Sequence, residues 1–365
     1  MYYITFNDTP SGIYQSQVID VVKYLSDLGD TEVKLIAFLP YSNFKENKKS
    51  IKMQLASAVV FPIFAGITRW RMLKLFLKLI TNKGEQAICR GPIAFELALG
   101  SFRKVVYDGR AAVKAEVEEF YVTGNKQLGE DFIKAEKNAV LQSDYRIAVS
   151  GKLVEYWKKE FDYQGDKHVV IPCTLTSKSS GELLMNKNDD SINLVFSGGI
   201  GAWQSIDLAA NLCRKAMKQN TNVNVLFLTQ ENPIIQKLIH EFPERCQRKW
   251  LRHEEVYDVL SNCDYGILLR NQNVTNQVAS PVKFAEYLNA GLKVLISDNL
   301  GDFTEFVKKN DCGIVIKDDI IGLISVTPSE RKRSIEIANQ YFYKSSEKIK
   351  LSYMKILRNL NELQK

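Results

Sequence analysis

Residues 280–291 read SPVKFAEYLNAG and are followed by KVLIS at 293–297. This order predicts a helix over Lys283–Ala290 that passes directly into a strand over Lys293–Ser297. Ser280 is a suitable N-cap, and Pro281 fits the first turn, where its missing N–H is no loss. Gly291 permits the turn that ends the helix. The start of such a helix presents unpaired amides and the positive end of the helix dipole, a seat for a diphosphate. Lys283 adds an ammonium group in that turn. Glu286 follows three residues later, so both side chains leave one side of the helix. Its carboxylate can accept hydrogen bonds from both hydroxyls of a ribose. The plainer alternative is a capped helix with a surface lysine and glutamate.

The alternation continues on both sides of this stretch. Upstream, strands are expected at Asn193–Phe196, Asn224–Leu228 and Tyr265–Leu269, with helices at Ile206–Lys218, Pro233–Glu241 and Glu254–Ser261. Downstream come a helix at Phe303–Lys309, a strand at Gly313–Ile316 and an almost wholly helical tail at Ser329–Gln364, broken near Tyr343. The N-terminal half repeats the pattern. Its strands are Tyr2–Phe6, Val33–Leu39, Lys104–Tyr107, Tyr145–Val149 and Val169–Ile171, and its helices Ser16–Leu28, Lys126–Gln142 and Ser150–Phe161. Strands alternating with helices imply parallel sheets covered on both faces. Residues 177–190 are rich in Ser, Lys, Asn and Asp with little to bury, which marks a linker. The expected architecture is α/β, with two doubly wound, Rossmann-like domains at 1–176 and 191–335 and a helical segment, 336–365, that crosses back to the first domain.

Composition narrows the function classes. Apolar residues make up 45% and charged residues 25% of 365, a globular balance with enough material for two cores. Six scattered cysteines form no C-x-x-C pair or zinc spacing, which reads as reduced thiols in a cytosolic protein. Three unclustered histidines and the lack of a D-x-D-like pair at a strand end argue against a metal site. No basic n-region precedes the first strand, so no secretion signal is expected, and no apolar run is long enough to span a bilayer. The net charge of +7 permits anionic partners. Nucleic acid is not expected, because the basic residues are not interleaved with aromatics on a recognisable module.

The run S-P-x-K-x-x-E-Y-L-x-x-G resembles the donor-site signature of the large retaining GT-B family of bacterial glycosyltransferases usually numbered family four. The resemblance implies a GT-B fold, with two domains facing a central cleft and the C-terminal one holding a nucleotide-diphosphate sugar. Ser280, Pro281 and Lys283 then face the donor diphosphate, and Glu286 the ribose. Tyr257–Leu269 resembles the short helix and strand leading to the family's sugar pocket, and Asp302–Phe306 the helix after the donor loop. His253 falls where relatives form part of the nucleotide-base pocket. The likeness is good over about residues 190–330 and loose before that.

Two positions depart from the family. Many members carry a second glutamate eight residues before the ribose-binding one, against the donor sugar; here it is Val278. The amides of Asn276–Val278 are the remaining candidates for that contact. Members also carry an Arg and a Lys after the first strand of the second domain. Here the segment is Ser197-Gly198-Gly199-Ile-Gly-Ala-Trp-Gln204. Its glycines either bring the main chain close to a phosphate or form a plain tight turn. The third glycine and the later acidic residue of a dinucleotide fingerprint are missing, which removes a nicotinamide dehydrogenase from consideration. Arg270, at the end of its strand, is placed to supply the missing charge, since ligands gather at strand carboxyl ends. Alternatively it is a structural arginine.

On the N-terminal side, Gly12 lies in the loop after the first strand, where the family brings its main chain near the donor. A structural turn is the competing reading. Asp108 and Arg110 follow another strand end, near where relatives place a histidine against the donor sugar. They are candidates for sugar hydroxyls, for the acceptor or, in the case of Asp108, for a base; otherwise they form a salt-bridged turn. In the mechanism the resemblance implies, the leaving diphosphate takes the acceptor's proton. The protein then stabilises charge on that diphosphate, a role suited to Lys283, Arg270 and helix amides. Glu116 and Glu118 read as solvated helix charges.

Residues 47–84 contain no Asp or Glu but eight Lys and Arg residues. Within them Arg69–Ile80 has Trp70, Leu73, Leu77 and Ile80 at helical spacing, with Arg71, Lys74 and Lys78 on another face. Such a helix fits the anionic cytoplasmic face of an inner membrane, or packs on the first domain with solvated lysines. The leading function is glycosyl transfer from a UDP- or GDP-sugar, with no other cofactor, to a glycan or polyprenyl-diphosphate-linked acceptor in bacterial surface-polysaccharide synthesis. A sugar-nucleotide epimerase or phosphorylase, or a catalytically silent nucleotide-sugar-binding partner, stays open.

Overall fold

The structure, a computed structural model, describes residues 1–63, 69–176, 190–298, 300–317 and 322–361. Residues 177–189 of the expected linker and 362–365 of the expected tail helix lie outside these. The chain divides into two units, one of residues 1–176 with the C-terminal helix Glu347–Asn361, the other ending at Ser346.

The first unit is a parallel sheet of seven strands: β1 (Tyr2–Phe6), β2 (Lys34–Pro40), β3 (Val59–Ile63), β4 (Gln86–Arg90), β5 (Lys104–Gly109), β6 (Tyr145–Ala148) and β7 (His168–Val170), in the order β3-β2-β1-β4-β5-β6-β7. The second unit has six: β8 (Ile192–Ser197), β9 (Val223–Leu228), β10 (Cys246–Lys249), β11 (Tyr265–Leu268), β12 (Lys293–Ser297) and β13 (Gly313–Ile316), in the order β10-β9-β8-β11-β12-β13. In each sheet the order reverses between two neighbouring central strands, β1 and β4 in one, β8 and β11 in the other. These are the switch points at which a doubly wound sheet opens a crevice beyond its carboxyl edge. The central strands are runs of consecutive buried apolar residues, as strands covered on both faces must be.

The sequence does not announce the edge strands. β3 carries Pro62, which lacks an amide for the ladder and is tolerated at an edge. β10 is CQRK, three polar residues out of four, again at an edge. The helix expected over 16–28 is also interrupted. A short turn, Gly12–Tyr14, leads into a π-helical stretch, Gln15–Ile19, before the regular helix Asp20–Gly29. Gln17 lies inside this wider turn and is buried, with its Nε2 donating to the Thr174 carbonyl at 2.8 Å. The extra residue in the turn brings a polar side chain inward, where a main-chain partner satisfies it.

The helical tail is two helices, Pro328–Tyr341 and Glu347–Asn361. Ile349, Tyr353, Ile356 and Leu360 of the last helix join Val18, Val22 and Leu25 in the core of the first unit. Each such side chain contributes roughly 1.5–3 kcal/mol on burial, so this helix is part of the first unit's core and not an appendage. Glu116 departs from the solvated reading: it is half-buried, and burial raises its carboxyl to about 7.

Candidate functional site

Beyond the carboxyl edge of the second sheet, four segments are tied together by short hydrogen bonds. The amide of Arg270 donates to Ser297 Oγ at the end of β12, 2.7 Å away. The Asn271 amide donates to Ser205 Oγ at 3.0 Å, and Arg270 Nη1 to the Trp203 carbonyl at 3.0 Å, so the segment after β11 holds the loop after β8. The Ser197 amide, at the end of β8, donates to the hydroxyl of Tyr287 at 2.9 Å, which fixes the helix Val282–Asn289 to the sheet. Tyr287 is fully buried, and a Cβ on Gly266 of β11 would lie 2.3 Å from its ring. Gly266 is therefore a glycine because Tyr287 occupies the space above it. Neither residue stands out in the sequence, since their contact exists only once β11 and the following helix are packed.

The start of this helix differs in detail from the expectation. It begins at Val282, and Pro281 is the cap residue, with φ −67° and ψ 124° and no side-chain cap bond. Ser280 lies one position before the cap and is buried. A proline has no N–H and a fixed φ, so it sits comfortably at this boundary. Lys283 Nζ and Glu286 Oε2 are 2.6 Å apart, on one side of the helix, and both are mostly buried. An ammonium and a carboxylate thus stand beside a helix start whose cap residue, Pro281, makes no side-chain cap bond.

Arg270 is 8% exposed, and no carboxylate pairs with it among the described residues. Burial pulls its guanidinium down to about 10, with nearby Tyr287 opposing. A cation held in a low-polarity place without a counter-charge is poised to take up an anion. The glycines after β8 separate into two kinds. A Cβ on Gly198 would lie 3.2 Å from Gln204 Oε1, whereas one on Gly199 meets no described atom within 4 Å.

Other expected positions are arranged differently. Val278 is buried, and the amides of Asn276, Gln277 and Val278 donate to Asn273 Oδ1, the Asn273 carbonyl and the Val274 carbonyl. Asn273 caps a four-residue helical turn, Val274–Gln277, and that turn uses the donors expected to meet a sugar. His253 opens the helix His253–Leu260; its side chain lies outside the described atoms.

No protein-family model matches the sequence, and no curated protein matches it by sequence. Solved structures match over nearly the whole chain. A variant of Staphylococcus aureus TarM, in complex with fondaparinux, α-GlcNAc-glycerol and UDP, is 11% identical with a TM-score of 0.66, covering 99% of this chain and 100% of its own. Sucrose-phosphate synthase from Thermosynechococcus elongatus is 13% identical with a TM-score of 0.68 and 99% coverage of both chains. A protein described as a UDP-N-acetylglucosamine 2-epimerase from Listeria monocytogenes is 10% identical with a TM-score of 0.54, covering 98% of this chain and 90% of its own. The chain has the GT-B fold.

The first unit carries its own polar cluster at the carboxyl edges of β1, β4 and β5. Asp108 has no accessible surface. Arg110 Nε is 2.7 Å from its Oδ1, while Arg110 Nη2 and the Tyr3 hydroxyl donate to Oδ2 at 3.0 and 2.6 Å. The Asp108 carboxylate is thus fully buried and ion-paired with Arg110, with the Tyr3 phenol on Oδ2. Beside it Arg90 Nε pairs with Asp8 Oδ2 at 3.1 Å. Gly12 opens the first helical turn without a positive φ, and Ser11 caps that turn by accepting from the Tyr14 amide at 3.1 Å.

The basic helix Arg69–Ile80 has two apolar stripes. Leu73 and Leu77 are buried, and Trp70 packs against Phe132. Leu75 and Leu79 project outward with Met72, at 61%, 76% and 63% exposure. Arg71 and Lys78 flank this second stripe. Among the described residues no helix is long and apolar enough to cross a membrane, and no group of His, Cys, Asp and Glu could hold a metal ion.

Proposed function

We propose that this protein is a glycosyltransferase that takes a sugar from a UDP-sugar and delivers it, with retention, to a glycan or lipid-diphosphate-linked acceptor. The observation that carries the proposal is the arrangement in the second unit: a helix start whose cap residue is Pro281, with Lys283 and Glu286 on one side, together with a buried Arg270 that has no carboxylate partner among the described residues, at the sheet's switch point. In this reading the amides of Val282 and Lys283, the Lys283 ammonium and Arg270 neutralise the diphosphate as the glycosidic bond breaks. Charge that develops on a leaving group is stabilised best by donors already fixed in place. The Tyr287–Ser197 bond and the Arg270–Trp203 bond provide that fixity. Glu286 accepts from the ribose hydroxyls. Asp108 is a positioning residue for Arg110, whose guanidinium faces hydroxyl-rich ligands in the first unit. Ser280, Gly198, Gly199 and Gly12 shape the main chain around the donor, His253 lies toward the base, and Val278 packs beneath the sugar.

The UDP bound to TarM supports a uridine donor over a guanosine one. The outward stripe Met72–Leu75–Leu79 with its flanking cations supports docking of the first unit on an anionic membrane surface, where a lipid-linked acceptor would be presented. Surface-polysaccharide synthesis at the cytoplasmic face is the corresponding setting. An epimerase has a structural counterpart among the matches, but it requires acid and base side chains around the sugar, and Asp108 is buried and ion-paired with Arg110. A thermal-shift series with UDP, GDP, ADP and CMP, followed by UDP-sugar turnover without and with acceptor, tests the proposal. Stabilisation by UDP and release of UDP are expected. Conversion of one UDP-sugar into its epimer would replace the reading, and UDP binding without any turnover would leave a silent partner.

A further inference from the structure

We propose that Trp203 is a stacking platform for a pyranose ring at the carboxyl edge of the second sheet; the inference rests on the glycosyltransferase reading. Trp203 belongs to a single helical turn, Ala202–Gln204, in the loop after β8, and its side chain is 43% exposed. The surrounding structure holds it in place. Its carbonyl accepts from the buried Arg270, and the next turn is fixed by Ser205, whose Oγ accepts from the Asn271 amide. Ser205 adopts φ 50° and ψ 50°, a left-handed conformation that a serine keeps only when its surroundings impose it.

Gly201 points the same way. Its φ of −57° and ψ of 147° suit any residue, so its backbone does not require a glycine. A Cβ there would stand 2.8 Å from the Trp203 ring, however, so the indole rests directly against the Gly201 main chain. The glycine exists to seat the ring. Ile200, also exposed, extends the apolar surface, and no charged side chain occurs from Phe196 to Ser205. A half-exposed indole on the same turn whose carbonyl holds a buried cation suits a ligand with an anionic group joined to a ring with an apolar face.

A pyranose fits that description. Its C–H face is polarised toward the negative face of an indole, while its hydroxyls stay at the rim. A nucleobase fits less well, because reading its edge requires side-chain hydrogen-bonding groups, and the adjoining Gly199, Ile200, Gly201 and Ala202 have none. The ring could belong to the donor or to the acceptor.

Calorimetric titrations of wild type, Trp203→Phe, Trp203→Ala and Gly201→Ala separate these cases. The probes are UDP, UDP-glucose, UDP-N-acetylglucosamine, and methyl glucopyranoside in the presence of saturating UDP. Trp203→Ala is expected to bind UDP within about twofold of wild type and to lose about tenfold or more for the ring it stacks. A loss with the UDP-sugars assigns the ring to the donor, and a loss with the glucoside assigns it to the acceptor. Trp203→Phe should keep most of the affinity, and Gly201→Ala should reproduce the loss by displacing the indole. Equal losses for UDP and UDP-sugars would overturn the proposal, because Trp203 would then serve the nucleotide or the fold. Unchanged affinity in every sugar arm would overturn it too, while UDP binding would leave the donor reading standing. If wild type binds no nucleotide, that reading falls and takes the platform with it.

Discussion

Arg270→Met separates binding machinery from scaffold. Burial lowers the Arg270 guanidinium from its ordinary value to about 10, so keeping it charged costs the folded state ~3 kcal/mol at about 1.4 kcal/mol per unit. The lost bond to the Trp203 carbonyl returns ~1 kcal/mol of that, while methionine retains much of the aliphatic stem. The variant should be more stable by roughly 1–2 kcal/mol, which for a unit of this size raises the melting temperature by roughly 2–8 °C. The sign is the same across the neutral range. Below pH 10 the group is charged in both folded and unfolded chains, and its penalty fades only as pH climbs above about 10. Ligand binding should move the other way. A charge-assisted bond to a diphosphate is worth ~1.5–3 kcal/mol, so UDP affinity should fall on the order of 10–100-fold, and UDP-sugar turnover at least as much. Scanning fluorimetry with and without UDP measures both effects on one plate. A variant that melts several degrees lower, yet gains as much from UDP as wild type does, would show Arg270 to be a structural residue with no part in binding the diphosphate.

Three further outcomes follow from the same geometry. Gly266→Ala forces a methyl group into the ring of Tyr287, 2.3 Å away, and should cost ~1–3 kcal/mol in urea unfolding while weakening UDP binding through the displaced helix; unchanged stability would mean that the helix is not held as described. Leu75→Glu with Leu79→Glu should abolish salt-sensitive co-sedimentation with anionic vesicles and leave the thermal midpoint of the protein nearly unchanged, since both side chains are exposed; equal sedimentation would remove the membrane surface from the account. Burial raises the carboxyl groups of Glu116 and Glu136 to about 7 and about 8, above their ordinary value near 4.5. Their stabilising contribution is therefore fully present only below about 4.5 and is lost as pH rises through those values. Unfolding midpoints should decline from pH 5 to pH 8, and Glu116→Gln should flatten the lower part of that decline; a rising profile would contradict the assignment.

The sequence is most legible where one local rule suffices. Val223–Leu228 and Lys293–Ser297 are apolar runs bounded by polar turns, and both are central strands. Edge strands hide because an edge tolerates Pro62 and the polar run at Cys246–Lys249, residues that argue against a strand when read alone. At the site, Lys283 and Glu286 are visible because helical spacing alone puts them together. Arg270 is visible as a cation beyond a strand, but its burial comes with bonds to Ser297 of β12 and to Trp203 in the loop after β8, which no local pattern announces. Tyr287 and Gly266 are silent in the sequence, since their contact joins two elements at right angles to any local pattern. In Arg69–Ile80 the period reveals apolar positions but not which of two stripes the fold covers. Leu75 and Leu79 turn out to lie on the uncovered one.

A crystal structure of the protein soaked with UDP shows where the diphosphate sits. A diphosphate is expected within hydrogen-bonding distance of the Val282 and Lys283 amides, the Lys283 ammonium and Arg270, with the ribose hydroxyls on Glu286. UDP seated elsewhere on the chain, or a Lys283–Glu286 pair with no contact to the bound nucleotide, would contradict this placement.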